Sequence, residues 1–249
     1  MTAAAGSLLY YRKTGGFFMM LKTLYTAVGR FERRTNGCRR YCPVIVLGGK
    51  EYMVDMQEMI IWSCLNWRIA RMEEIGRLYT ATLPVQKDIV NRSWKDCVER
   101  LLTRGLLICG KGETEYDALY DLLSSMYIIP TDGSSFLRVL SFLKLTLVNH
   151  VPFSSARKLF RHDQRTENEK QVMALAKQAL LSTAELIRCM EKDIRSLPTE
   201  ESILEGLYDD ADTTSDNISC MMRLSPKSKA VTLAVANLYL RQQIIFERI

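Results

Sequence analysis

The chain has 249 residues, 47% of them hydrophobic and 25% charged, a balance that suits a folded protein with a core for one large domain or two small ones. Its net charge of +6 is uneven, because residues 1–50 hold nine Lys or Arg and a single acid, Glu32. No apolar run reaches the ~20 residues a bilayer crossing needs. The seven cysteines are scattered and odd in number, which suits a reducing compartment rather than a disulfide framework. No cleavable leader is legible, so a cytoplasmic location and no membrane partner are expected.

Within residues 1–43, the segment from Phe17 to Arg34 can form one helix, with Phe18, Leu21, Leu24, Tyr25, Val28 and Phe31 on one side. Arg30, Arg33, Arg34, Arg39 and Arg40 then make a basic cluster, and the stretch as a whole reads as a basic N-terminal extension. Pro43 to Asp55 reads as a β-hairpin: Val44–Leu47 is apolar and partly β-branched, Gly48-Gly49 is a two-residue turn, and Glu51–Val54 returns. Asp55 is placed to cap a helix running to about Trp67. That helix carries Met56, Met59, Ile60, Cys64 and Trp67 at helical spacing, with Ile61, Trp62 and Leu65 widening the apolar face, so it is expected to be buried.

A second helix fits about Arg71–Thr80, with Met72, Ile75, Leu78 and Tyr79 inward, and Pro84 interrupts the pattern. A third spans about Asp88–Thr103, with Val90, Trp94, Cys97, Val98 and Leu101 inward. Gly105 ends it as a C′ glycine. Leu106–Cys109 reads as a strand and Gly110-Lys111-Gly112 as a tight turn. Beyond it helices dominate: Thr114–Met126, Ser134–Val148, Ser154–Phe160, and a long helix from the capping box Thr166-x-x-Glu169 to about Leu197. Met173, Ala176, Leu180, Thr183, Ile187, Met190 and Ile194 form an a/d seam along that helix. Thr199–Tyr208 is a further helix, 209–219 a polar loop, and Ser225-Pro226 opens a last helix to about Glu247. No internal repeat is legible.

The order hairpin, three helices, Gly-Leu-Leu, strand and turn resembles the winged helix-turn-helix transcriptional regulators, MarR/PadR-like in general pattern, over about residues 45–125. The resemblance is sharpest at Leu101-Leu102-Thr103-Arg104-Gly105-Leu106-Leu107, with Trp94 and Val98 at core positions of the third helix. It implies a mainly α fold: a winged-helix DNA-binding domain at 44–126 with a small β-hairpin and wing, followed by an all-helical dimerisation or effector domain at 127–249. It also implies double-stranded DNA as partner, read by helix 88–103 in the major groove. Asn91, Arg92, Ser93 and Lys95 would then lie toward the bases, Arg68, Arg71, Arg77, Arg104 and Lys111 would hold phosphates, and Arg100 would share the outward face of the third helix. A homodimer is expected through the C-terminal helices, with room for a small-molecule or protein effector. The alternative is a winged helix that serves as a protein-binding platform, which the mixed charge of the third helix would suit.

No enzyme chemistry is legible. Two histidines, His150 and His162, stand alone, and adjacent carboxylates such as Glu73-Glu74 point apart on a helix. No phosphate loop is present. Cys38-x-x-x-Cys42 is half of a metal site, without two further ligands at a recognisable spacing. No metal and no cofactor are therefore expected.

Overall fold

The computed structural model describes residues 21–35, 41–82, 92–131, 165–208 and 213–248. In chain order these form β1 (Lys22–Ala27), β2 (Arg30–Thr35), β3 (Tyr41–Leu47), β4 (Lys50–Met53), α1 (Met56–Leu65), α2 (Met72–Thr82), α3 (Trp94–Thr103), β5 (Leu107–Gly112) and α4 (Glu115–Leu123). There follow β6 (Tyr127–Pro130), α5 (Glu167–Ala176), β7 (Leu181–Ser182), α6 (Thr183–Glu191), α7 (Glu200–Leu207), α8 (Ser215–Met222), α9 (Ser228–Leu240) and β8 (Ile244–Glu247). The strands make three small antiparallel sheets, ordered β1-β5, β2-β3-β4 and β7-β6-β8. The fold is mixed α/β, which overturns the expectation of a mainly α chain with an all-helical C-terminal region.

Several elements differ from their sequence reading for identifiable reasons. Lys22–Thr35 is two strands rather than part of a helix, because Gly29 breaks it at φ 82° and each half finds a strand partner. Gly110-Lys111-Gly112 is not a turn but the end of β5, paired with Lys22, Thr23 and Leu24. The partner of β5 thus comes from the N-terminal side of the chain. The long helix from Thr166 is broken after Ala176, and Leu181 and Ser182 form a strand before α6 resumes, so the a/d seam does not run on one helix. The last helix stops at Leu240, and Ile244–Glu247 is a strand. Ser215–Ser219, expected in a polar loop, belongs to α8. The hairpin at β3–β4 stands where the sequence put it, with Gly48 and Gly49 at φ 56° and 72°, as a primed two-residue turn requires. The expected helices 134–148 and 154–160 lie outside the described residues.

The structure contains a repeat that the sequence hides. The first unit is β1, α1, Ala70, α2, α3 and β5; the second is β6, α5, β7, α6, α9 and β8. In the first, Tyr25 of β1 bridges Ala70, and Ala27 pairs Leu107; in the second, Ile128 of β6 pairs Leu181, and Pro130 pairs Ile244. Both units therefore place the leading strand between the other two strand segments. Twelve residues separate Glu58 from Ala70, and twelve separate Glu169 from Leu181. Each second helix begins with the same cap: Glu74 Oε2 accepts the Arg71 N–H at 2.8 Å, and Glu185 Oε2 accepts the Ser182 N–H at 2.6 Å.

Each third helix ends the same way. The N–H groups of Gly105 and Leu106 donate back to Leu102 and Leu101, and those of Gln242 and Gln243 donate back to Tyr239 and Leu238. The left-handed residue is Gly105 at φ 71° in one unit and Gln242 at φ 59° in the other. Equivalent inner faces, Cys97, Val98 and Leu101 against Ala234, Val235 and Leu238, are all buried.

The units share one apolar core. Tyr239 of α9 crosses into the first unit, where its hydroxyl accepts the Trp67 N–H at 2.9 Å and lies 3.0 Å from the Ala27 carbonyl and 2.9 Å from Thr26 Oγ1. The Gly29 N–H donates to the Phe246 carbonyl at 3.1 Å, and the Tyr239 and Phe246 rings stack with centroids 4.3 Å apart.

Candidate functional site

The third helix of the first unit, α3, is the element the sequence singles out. Ser93 caps it, accepting the Lys95 N–H at 3.3 Å. Its buried side carries Cys97, Val98 and Leu101, and burial pushes the Cys97 thiol above its ordinary range. Lys95, Asp96, Glu99, Arg100 and Thr103 are exposed. The helix therefore offers a solvent face, but one that alternates in sign.

What governs that face lies beneath it, at the start of α1. Asp55 and Glu58 form a capping box: Asp55 Oδ1 accepts the Glu58 N–H at 2.9 Å, and Glu58 Oε2 lies 3.3 Å from the Asp55 N–H. The Glu58 side chain is only 2% exposed, and arginines of α3 and its flanks converge on it. Arg100 Nε donates to Oε1 at 2.8 Å and Arg104 Nη1 to Oε2 at 3.0 Å. Arg92 Nη2 pairs with Asp55 Oδ2 at 3.0 Å, while its Nη1 stands 3.8 Å from Glu58 Oε1. Arg104 also donates to the Met53 carbonyl and lies over the Tyr52 ring. A carboxylate taken out of water needs such partners, since an uncompensated buried charge costs several kcal/mol, roughly 3–5 for a broken pair.

The second unit repeats the arrangement with fewer members. Glu169 is fully buried, its Oε2 accepting Arg241 Nη1 at 3.1 Å and the Thr166 N–H at 3.0 Å. Arg241 holds the place of Arg104. Asn237 holds the place of Arg100, and Glu169 Oε1 has no hydrogen-bond partner among the described residues.

The proposed DNA contacts thus fall into three groups. Arg92, Arg100 and Arg104 converge on Asp55 and Glu58, and Arg71 pairs with Glu115 of α4. Ser93 is a cap, Lys111 lies within β5 with its N–H donating to Asp121 at 2.8 Å, and Asn91 lies outside the described residues. Lys95, which leans over the Trp94 ring, and Arg77, on α2, are exposed and make no ion pair among the described residues. Sequence reasoning missed Glu58, since it sits in a helix otherwise read as apolar. The spacing Asp55-x-x-Glu58 was the available signal.

Between the units lies a cavity of about 680 Å³ lined by Gly29, Phe31, Met59, Trp62, Trp67 and Ile245, among others. Its walls suit an apolar occupant more than a polar one. Among the described residues no cluster of His, Cys, Asp or Glu is placed to hold a metal ion, and no helix is long and apolar enough to cross a membrane. Comparisons with protein-family models, with curated proteins and with solved structures return no match.

Proposed function

We propose that the chain is a non-catalytic interaction module that engages a protein partner through the exposed face of α3. The observation that carries the choice of partner is the buried Glu58 carboxylate, which draws in Arg100 and Arg104. Duplex DNA presents about one negative charge per 1.7 Å, and affinity for it comes mainly from cations that displace counterions. On α3 the exposed Lys95 and Arg100 are matched by Asp96 and Glu99, so the face has no net charge to offer. A face of alternating sign suits a protein surface of complementary pattern, where charge sets register and partner choice.

A photo-crosslinking residue placed at Glu99 tests this. The expected result is a discrete protein adduct in cells that is lost when Asp96 and Lys95 are both charge-reversed. Adducts with nucleic acid instead would overturn the reading.

Sequence-specific DNA binding is the second reading, favoured by Arg68 and Arg77, which are exposed and without ion pairs among the described residues on the side of α2. It requires that reversing Arg77 and Lys95 together abolish retention of a duplex while leaving any protein partner bound.

A further inference from the structure

Superposing the two units in register exposes a difference between their third helices. Arg104 and Arg241 are equivalent, which sets Asp96 against Leu233, Arg100 against Asn237 and Thr103 against Leu240. The outward stripe of α9 is therefore Lys229, Leu233, Asn237 and Leu240, with Leu233 42% and Leu240 48% exposed. These positions fall on one helical face. The opposite side of α9 is buried against α4, α5 and α6, so the stripe is not a core face left over. Leu233 and Leu240 stand two turns apart on this face with Asn237 between them, and Lys229 lies one turn before Leu233.

A second surface has the complementary character. Helix α7 buries Leu207 and turns Glu200, Glu201, Leu204 and Glu205 outward, with Leu204 59% exposed. It is an acidic face centred on one leucine. The stripe on α9 carries Leu233 and Leu240, begins at Lys229, and bears no acid.

We infer that the α9 stripe is a self-association surface that receives α7 of a second copy of this chain. Leu204 packs against Leu233, and Glu201, three residues before Leu204, meets Lys229, four residues before Leu233. Each copy carries both surfaces, so two such contacts related by a two-fold axis close a dimer, and a single contact repeated head to tail extends a chain. This surface is separate from the α3 face and does not depend on what α3 binds.

Sedimentation equilibrium of the full chain across micromolar to submillimolar concentration tests it. The wild type is expected to associate, and Leu233→Glu to weaken association roughly tenfold or more, with an unchanged circular dichroism spectrum. Lys229→Glu and Glu201→Lys should each weaken it, and the variant carrying both should recover most of the loss, because the charge pair is restored with reversed sign. A wild type that stays monomeric throughout, or association that Leu233→Glu leaves untouched, overturns the inference. Association that Leu233→Glu abolishes but the charge swap fails to recover removes α7 as the occupant and overturns it equally.

Discussion

Glu58 is the residue on which the first unit turns. It is buried, it completes the cap of α1, and it binds Arg100 and Arg104 from α3 and its C-terminal end. Replacing it with Gln leaves the shape but strands two guanidinium groups, and is expected to lower unfolding stability by roughly 3 kcal/mol in urea titrations. Arg104→Met should cost less in the Glu58→Gln background than in the wild type, a non-additivity that a double-mutant cycle reads. Asn237→Arg is expected to stabilise by roughly 1 kcal/mol, because an arginine there reaches the unpartnered Glu169 Oε1 as Arg100 reaches Glu58. At the left-handed helix ends the same logic gives opposite signs. Gly105→Ala should destabilise, and Gln242→Gly should stabilise, each by about 1 kcal/mol in the same assay. The caps at Asp55 and Thr166 and the glycine at 105 were legible, because each rests on short-range chemistry. Glu58 was not: the apolar pattern of α1 brings Ile61, Trp62 and Leu65 inward as the sequence suggests, but the buried side also takes in Gln57 and Glu58, which that pattern does not mark. A buried acid cannot be recognised until its arginines, more than forty residues away, are known to meet it.

Among the elements, α9 has two duties. Its buried side holds the second unit together, and Tyr239 reaches across to bind Trp67, Thr26 and Ala27. Burial raises the Tyr239 phenol from 10.0 to about 12. A raised acid favours the fold below its unfolded value, and that advantage disappears as pH climbs from 10.0 to about 12, where the unfolded phenol ionises first. Tyr239→Phe should therefore reduce the fall of stability across that window by about 1.4 kcal/mol per pH unit, measured by unfolding at fixed temperature. A variant with the same alkaline slope as the wild type would mean that the hydroxyl is not held as described. Helices α2 and α3 were legible from their period. Strands β1, β7 and β8 were not, because each is short and lies in an apolar stretch that reads equally well as helix. Leu181-Ser182 is the clearest case: pairing with Tyr127 and Ile128, more than fifty residues away in the chain, makes it a strand.

In the molecule as a whole, two units of like topology share one core, and Tyr239, Phe246 and Gly29 tie the last helix and strand of one unit to the first strand and loop of the other. Thermal unfolding should accordingly show a single calorimetric transition; two resolved transitions would mean that the units are independent. The repeat escaped sequence reading because it survives in geometry and in few identities, among them Glu58 and Glu169, Glu74 and Glu185, Leu101 and Leu238, and Arg104 and Arg241. Those identities hold caps and a buried ion pair in each unit, while the outward faces of α3 and α9 have diverged in charge. The function proposed for α3 rests on that charge balance. Fluorescence anisotropy of a labelled duplex, titrated with the full chain at low and at physiological salt, addresses it most directly. The expected result is weak binding at most, unchanged by reversing Lys95 and Arg77. Tight binding that falls steeply with salt, and that those two reversals abolish, would contradict it and return α3 to the role of a DNA-reading helix.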